Sequence, residues 1–310
     1  MAKDKSLPLH LKWRPSSFDE MIGNESTVES LKTILAREDG EVRSFLFHGP
    51  SGTGKTTLAR IVKTTLEVSD RDYYEYNAAS TRGIDTIREI AMGCCYAPMK
   101  GKIKIYLLDE AHKLSSDAQN SVLKLLEDTP RHVRFILCTT DPEKLIKTIR
   151  TRCTSFATVG LQRNKIVTLL KRVCDGEGVK FSDDILAKIA ETSEGSARQA
   201  LVIMDQVIDL PTDEAAMEAI QKIGVNENTI MELSQALLKP ATKWESLGKI
   251  IKGLDEEPEK IRYAVLGYMS TVLLNADNPR AAQIIQIFSD SWMYIGKSGL
   301  VSSCYLVTKL

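Results

Sequence analysis

The fold of this chain is decided by an eight-residue stretch, Gly49-Pro50-Ser51-Gly52-Thr53-Gly54-Lys55-Thr56, which fits the phosphate-binding pattern G-x-x-x-x-G-K-[ST]. Glycines in this pattern allow a tight turn whose successive backbone N–H groups point at phosphate oxygens. Lys55 would add a positive charge beside the β and γ phosphates, and the Thr56 hydroxyl is placed to bind Mg²⁺. The alternative, a plain glycine turn, is disfavoured because a strand-like run precedes the loop and a helical pattern follows it.

The segments around this loop alternate between strand and helix patterns over the first 160 residues. Short runs of apolar or β-favouring residues predict strands at residues 44–48, 72–76, 103–108 and 133–138. Helical spacing of apolar residues predicts helices at residues 57–66, 83–92 and 116–127. Continuous apolar strands separated by helices are typical of a parallel sheet covered on both faces. We therefore predict an α/β core.

A second motif consists of two acids, Asp109 and Glu110, at the end of the predicted strand at residues 103–108. Acids in this position, about 50 residues after a phosphate loop, indicate a nucleoside triphosphatase. Asp109 would hold Mg²⁺ through water, and Glu110 would orient and polarise the attacking water. Residues 109–112 also read D-E-A-H, which suggests a helicase. That class needs a second parallel-sheet domain, and no such pattern follows residue 160.

The strand patterns stop after about residue 160, and helical patterns continue to the end of the sequence. The sequence contains no internal repeat and no low-complexity linker. We predict three domains: an α/β core at residues 1–159, a small helical domain at 160–226 and a second helical domain at 227–310. The predicted fold class is therefore α/β plus all-α.

The composition is that of a globular protein, with 310 residues, 43% hydrophobic residues and a net charge of zero. The charge is unevenly distributed: residues 1–180 hold 29 basic and 23 acidic side chains, whereas residues 181–260 hold 8 and 16. Such asymmetry can mark a half that faces nucleic acid, and the alternative is ordinary solvated surface.

The cysteines and the terminal segment indicate a reducing, cytoplasmic environment. The sequence has six cysteines but no C-x-x-C, and the adjacent Cys94 and Cys95 lack a second ligand pair, which argues against zinc. No apolar run reaches the ~18 residues of a membrane span. Residues 1–11 lack the apolar stretch of a secretory signal. We therefore expect no membrane partner.

Further motifs along the chain resemble one protein family. They are Lys12-Trp13-Arg14-Pro15 with Phe18, Tyr96-Ala97-Pro98, Thr139 to Leu145, Thr151-Arg152-Cys153 and Gly195-Ser196-Ala197-Arg198. On these motifs the chain resembles the AAA+ sliding-clamp-loader ATPase subunits, which include replication factor C small subunits and the bacterial DNA polymerase III gamma/tau motor. The resemblance runs from about Leu11 to Met204.

The resemblance implies a fold, an activity and partners. The implied fold is a RecA-like core followed by a helical lid and a helical collar. The implied activity is hydrolysis of ATP with Mg²⁺ as the cofactor, used to open a processivity clamp and load it during DNA replication. The implied partners are the other loader subunits of a five-part ring, the sliding clamp and primer–template DNA.

The resemblance also implies roles for single residues. Thr140 would contact the attacking water or the γ-phosphate, and Arg198 would reach that phosphate from the lid. Arg152 would act in trans, as an arginine finger on the ATP of the neighbouring subunit. Besides the phosphate loop, the implied nucleotide-binding residues are Lys12, Arg14, Ile22 and Thr57.

Residues 77–85 resemble the family segment that faces DNA inside the ring. Four residues of this segment are implied to contact DNA: Thr81, Arg82, Gly83 and Ile84. Arg82 and the N–H groups of the following helix start suit a phosphate contact that reads no bases. Two alternatives stay open for Arg82: it restrains Glu110 until DNA arrives, or it is an ordinary solvated side chain.

Three departures from the family pattern stand out. Residues 66–72 pass directly from the predicted helix to the next strand, so the four-cysteine zinc module of gamma/tau subunits is missing. Thr151 replaces the serine of the S-R-C motif, and the third domain is short, as in compact phage or archaeal loaders. Two alternative functions remain: another AAA+ DNA remodeller, such as a Holliday-junction motor or helicase loader, or a structural loader subunit without hydrolysis.

Overall fold

A computed structural model describes residues 7–37, 42–80, 83–240, 242–254, 256–292 and 295–310. Thr81 and Arg82, two of the predicted DNA contacts, lie outside the described residues. The chain forms two compact units, Met1–Asp213 and Glu214–Leu310. The predicted border at residue 226 lies within a helix, and the three-domain division stays a prediction.

The first unit is built on five parallel strands in the order β2-β3-β4-β1-β5. Their bounds are β1 Ser44–His48, β2 Tyr73–Asn77, β3 Lys104–Asp109, β4 Val133–Thr139 and β5 Thr154–Ala157. The predicted parallel sheet is confirmed, and β5 adds a strand that the sequence analysis did not find. In this order β4 lies between the strand that leads into the phosphate loop and the strand that ends in Asp109.

Nine described helices belong to this unit. They are α1 Leu9–Lys12, α2 Glu25–Leu35, α3 Lys55–Thr65, α4 Ile84–Cys94, α5 Ser116–Glu127, α6 Lys147–Arg152, α7 Arg163–Glu177, α8 Asp183–Thr192 and α9 Ala197–Val207. Single turns of 3₁₀ helix lie at Phe18–Glu20, Asp70–Asp72, Ala111–Lys113 and Pro142–Lys144.

The two faces of the sheet bury alternate residues of each strand, because successive strand side chains point to opposite sides. Phe45, Phe47 and Leu107 pack on one face with α2 and α3, whereas Leu46 and Leu108 pack on the other with α4 and α5. Continuous apolar strands are therefore needed, as the sequence predicts.

The second unit is helical in its described residues. Its helices are α10 Asp213–Leu238, which begins at the last residue of the first unit, α11 Trp244–Gly253, α12 Pro258–Asn275, α13 Pro279–Ile287 and α14 Gly296–Val307. Their core includes Leu233, Val265, Phe288 and Cys304. Among the described residues of the whole chain, no helix is long and apolar enough to cross a membrane.

Candidate active site

The phosphate loop joins the end of β1 to the start of α3 in a conformation that requires glycine. Gly49 has φ +142° and Gly52 has φ +73°. A Cβ on Gly49 would lie 2.0 Å from the Thr158 carbonyl oxygen, and one on Gly52 would lie 2.1 Å from Ser196 Oγ. Both positions therefore require glycine, because of their backbone conformation and their close neighbours. The motif specifies Gly49, whereas Gly52 occupies one of its variable positions.

Lys55, the first residue of α3, is 6% exposed and points back into the loop. Its Nζ donates to the carbonyl oxygens of Gly49 (2.8 Å) and Pro50 (2.7 Å). Burial lowers the pKa of the Lys55 ammonium, whereas Cys138, Glu110 and Asp109 raise it. The N–H groups at the start of α3 and this ammonium together form a site for an anion.

Threonines fasten the loop to the end of β5. Thr53 Oγ1 and Thr158 Oγ1 lie 2.7 Å apart, so one of the two hydroxyls donates to the other. The same oxygens lie 2.8 Å from the Pro50 carbonyl oxygen and 3.2 Å from the His48 carbonyl oxygen, respectively. Thr53 and Thr158 are buried. The sequence analysis missed Thr158, because it lies about 100 residues from the loop that it contacts.

Thr56 and Asp109 meet at the carboxyl ends of β1 and β3. Thr56 Oγ1 donates to Asp109 Oδ2 at 3.0 Å, and Asp109 Oδ1 accepts the N–H of Glu110 at 3.0 Å. A hydroxyl beside a carboxylate is the oxygen donor set that Mg²⁺ takes in nucleotide sites. Among the described residues, no group of three or more His, Cys, Asp and Glu side chains could hold a metal ion.

Glu110 stands at the turn after β3, with a left-handed backbone (φ +51°) that is uncommon outside glycine. Its side chain is 35% exposed, and Oε2 lies 3.4 Å from Nε2 of His112, whose side chain is 5% exposed. His112 Nδ1 lies 3.0 Å from Oγ1 of the buried Thr139. Burial lowers the pKa of the His112 imidazole, although Glu110 raises it.

One cavity of about 600 Å³ collects most of the predicted nucleotide-binding residues, a size typical of small-ligand sites. Those that line it are Lys12, Arg14, Ile22, Ser51, Gly52, Thr53, Gly54, Lys55, Thr56 and Thr57, whereas Gly49 and Pro50 do not. The predicted metal-binding or catalytic residues Asp109, Glu110 and Arg198 line the same cavity. Burial, followed by the charges of Arg60 and Arg198, lowers the pKa of Arg14, while Glu75 opposes this. The crowding of cations around the cavity favours an anionic ligand.

The Lys12-Trp13 pair anchors the N-terminal segment on the C-terminal end of α7. Lys12 Nζ donates to Glu177 Oε2 (2.5 Å), and Trp13 Nε1 donates to Glu177 Oε1 (2.6 Å). A Cβ on Gly176 would lie 2.0 Å from the Trp13 ring, so the indole packs directly on the helix backbone. Lys12 therefore already has a carboxylate partner while it lines the cavity.

Other predicted site residues lie away from this cavity. Thr140 follows β4 and does not line it; the preceding Thr139 is the buried hydroxyl that contacts His112. Arg152, at the end of α6, is 37% exposed and pairs with Glu127. Gly83 precedes the first residue of α4, Ile84. The predicted roles of these residues stay predictions.

The comparisons with known folds define the class of protein. A family model described as "RCF1/5-like, AAA+ ATPase lid domain" matches residues 168–205, and one described as "DNA polymerase III, delta subunit" matches residues 64–161. The RuvB Holliday junction branch migration motor of Thermotoga maritima shares the fold, with a TM-score of 0.63 and 20% identity over 78% of this chain and 86% of that chain. The fold and the match to the lid-domain model are those of an AAA+ ATPase.

The relatives in sequence define the family. DNA polymerase III subunit gamma of Buchnera aphidicola subsp. Baizongia pistaciae is 34% identical over 75% of this chain and 69% of that protein. DNA polymerase III subunit tau of Escherichia coli is 32% identical over 74% of this chain but 39% of that longer protein. This chain belongs to the family of DNA polymerase III gamma and tau subunits. The predicted resemblance and the ATP hydrolysis that it implies are confirmed.

Proposed function

We propose that this chain is the motor subunit of a clamp loader, which uses ATP to open a sliding clamp and to load it on primer–template DNA. The observation that carries the proposal is the meeting of Lys55, the Thr56–Asp109 pair, Glu110 and Arg198 around one cavity. This chain has 310 residues and spans 39% of the Escherichia coli relative. The clamp, the DNA and the other loader subunits are therefore proposed as its partners.

The proposed mechanism assigns each side chain a separate task. Lys55 and the N–H groups at the start of α3 bind the β and γ phosphates. Thr56 and Asp109 would hold Mg²⁺, which would neutralise phosphate charge when it is bound. Glu110 orients the attacking water and accepts its proton at the carboxylate. Arg198 reaches the γ-phosphate from the side of α9, and no covalent intermediate is formed.

The assembly is proposed to be a five-part ring in which each active site is completed by a neighbour. Arg152 supplies the second guanidinium from that neighbour, and Thr140 contacts the attacking water. Gly83 and Ile84, with Thr81 and Arg82 outside the described residues, track the DNA backbone inside the ring. The basic surplus of residues 1–180 suits such a chamber. We place the loader in the cytoplasm.

The test of this function is the steady-state ATPase rate of the assembled loader with its clamp, with primed DNA, with both and with neither. We expect strong stimulation only when clamp and primed DNA are both present, because loading couples the two. Stimulation by four-way junction DNA without a clamp would instead favour a branch-migration motor. The branch-migration motor shares the fold of this chain, but at 20% identity the likeness says nothing about function.

The role of Glu110 is tested by Glu110→Gln, which keeps the shape of the side chain but removes its basicity. We expect ATP affinity close to that of the wild type and hydrolysis slower by ~10²-fold or more, since only proton acceptance and water positioning are lost. Nucleotide binding by fluorescence titration and single-turnover hydrolysis measure the two effects separately. Glu29→Gln, on the exposed side of α2, is the matched control. Loss of ATP binding in Glu110→Gln would make Glu110 a structural residue.

A further inference from the structure

A line of contacts runs from the end of β4 to Glu110. The backbone N–H of Asp141 donates to Thr139 Oγ1 at 3.0 Å, and the same oxygen lies 3.0 Å from His112 Nδ1. On the other side of the ring, His112 Nε2 lies 3.4 Å from Glu110 Oε2. The imidazole therefore stands between a buried hydroxyl and the carboxylate that faces the cavity.

The hydrogen bonds at Thr139 decide which ring nitrogen carries the proton. Thr139 is fully buried, and its oxygen already accepts the N–H of Asp141. A buried hydroxyl proton without an acceptor costs free energy, and His112 Nδ1 is an acceptor at hydrogen-bond distance. If the hydroxyl donates to Nδ1, the neutral ring carries its proton on Nε2 and presents it to Glu110.

Glu110 gains from such a neighbour because, in the part of the chain that the structure describes, its carboxylate has no ion pair other than the contact with His112. Glu110 itself has a left-handed backbone conformation just before a single 3₁₀ turn, and about a third of its side chain is exposed to solvent. A carboxylate that must accept a proton from one water molecule loses efficiency when it rotates among several rotamers. The nearly buried His112 ring, packed beside Thr139, offers a fixed donor on one side of that carboxylate.

We propose that His112 is a positioning residue for ATP hydrolysis: held by Thr139 at the end of β4, its Nε2–H orients the Glu110 carboxylate toward the attacking water. This inference rests on the proposed role of Glu110. It also links that carboxylate to β4, the strand between the phosphate-loop strand β1 and the acidic strand β3. A shift of the backbone at the end of β4, where Thr140 begins the next segment, would thus change the position of the Glu110 carboxylate.

Three substitutions of His112 separate this role from simple packing. In His112→Gln the side-chain amide can still reach Glu110 as a donor, whereas in His112→Asn a shorter amide can still meet Thr139 but not Glu110. His112→Phe fills the space without hydrogen bonds. We expect His112→Gln to keep single-turnover hydrolysis within about threefold of wild type, and the other two to lose ~10- to 10²-fold with unchanged ATP affinity.

His132 is the matched control, because its Nε2 bonds to the backbone carbonyls of Cys94 and Tyr96 on the same sheet-containing unit. His132→Asn is expected to lower the melting temperature without changing the hydrolysis rate of the folded protein. If His112 had only a structural role, its variants would behave like His132→Asn. Equal rates in His112→Asn and wild type, or a loss of ATP affinity in place of rate, would overturn the inference.

A spectroscopic measurement on the purified full chain is independent of activity. The sequence has four histidines, so selective ¹⁵N-histidine labelling gives few signals, and the His112 signals are assigned with His112→Gln. We expect the tautomer protonated at Nε2. Thr139→Ser, which keeps the hydroxyl, is expected to preserve that tautomer, and Thr139→Val is expected to lose it. A wild-type ring protonated at Nδ1 would overturn the inference.

Glu110→Gln distinguishes a failure of this inference from a failure of the proposed mechanism. If Glu110→Gln hydrolyses ATP at the wild-type rate, the proposed role of Glu110 fails, and the positioning role of His112 fails with it. If Glu110→Gln is inactive while His112→Asn is fully active, only the positioning role is wrong. In the double variant Glu110→Gln, His112→Asn, we expect no loss beyond that of Glu110→Gln, because His112 acts through that carboxylate.

Discussion

Lys55→Met is expected to abolish ATP hydrolysis and to weaken ATP binding by roughly 30- to 5,000-fold, the range for removing one partner of a buried charge pair. The Lys55 ammonium is the buried cation of the phosphate loop, held by the carbonyl oxygens of Gly49 and Pro50. Methionine keeps the length and packing of the stem but leaves the β and γ phosphates without this charge. Isothermal titration with ATP and steady-state hydrolysis measure the two effects.

Lys63→Met is the matched control for this experiment, because Lys63 lies on the same helix, α3, but pairs with Asp70 at the surface. We expect that control to bind and hydrolyse ATP like the wild type, since surface ion pairs contribute little to stability. Hydrolysis at the wild-type rate by Lys55→Met would contradict the proposed role of the phosphate loop in ATP hydrolysis. A melting temperature far below that of Lys63→Met would instead point to a role of Lys55 in folding the loop.

Local patterns carried much of the site prediction. The phosphate loop, the two acids at the end of β3 and the continuous apolar strands each have a signature within fewer than ten consecutive residues. The physical reason is that a phosphate cradle needs glycine at defined backbone angles, and a strand buried on both faces needs uninterrupted apolar residues. The same signatures identify part of the cavity lining, whereas Lys12, Arg14 and Arg198 were predicted from the family resemblance.

Contacts between distant segments were the part that the sequence did not reveal. The strand β5 is four residues long, and most of its residues are partly or fully exposed, so it has no apolar run. Thr158 fastens the phosphate loop, and Thr139 meets His112, only because the sheet brings β5, β1, β4 and β3 together in that order. His112 was visible as the last letter of D-E-A-H, but its partner Thr139 is the last residue of another strand, β4. Helix α10 likewise continues across residue 226, where the sequence analysis placed a domain border.

Arg152→Ala is expected to keep ATP affinity nearly intact and to lose ~10³-fold or more in hydrolysis, the size expected for an arginine finger. In the isolated chain Arg152 lies outside the cavity, at the end of α6, where it pairs with Glu127 and donates to the Thr148 carbonyl at 3.4 Å. That position suits a guanidinium that acts on the ATP of another subunit. Glu127→Gln removes the ion pair but leaves the finger, so it is the control for any structural effect of the pair.

Mixing two inactive proteins tests whether Arg152 acts in trans. The Lys55→Met protein has an inactive nucleotide site but keeps the arginine finger. The Arg152→Ala protein keeps the nucleotide site but lacks the finger. At interfaces where an Arg152→Ala pocket faces a Lys55→Met neighbour, the site is complete, so a mixing series with clamp and primed DNA should recover part of the rate. Full recovery is not expected, because the other interfaces stay inactive. The contrary result is an ATPase rate of zero at every mixing ratio while native mass spectrometry shows mixed assemblies. Arg152 would then act within its own subunit or only support the structure, and the strongest mechanistic argument for a ring would be lost.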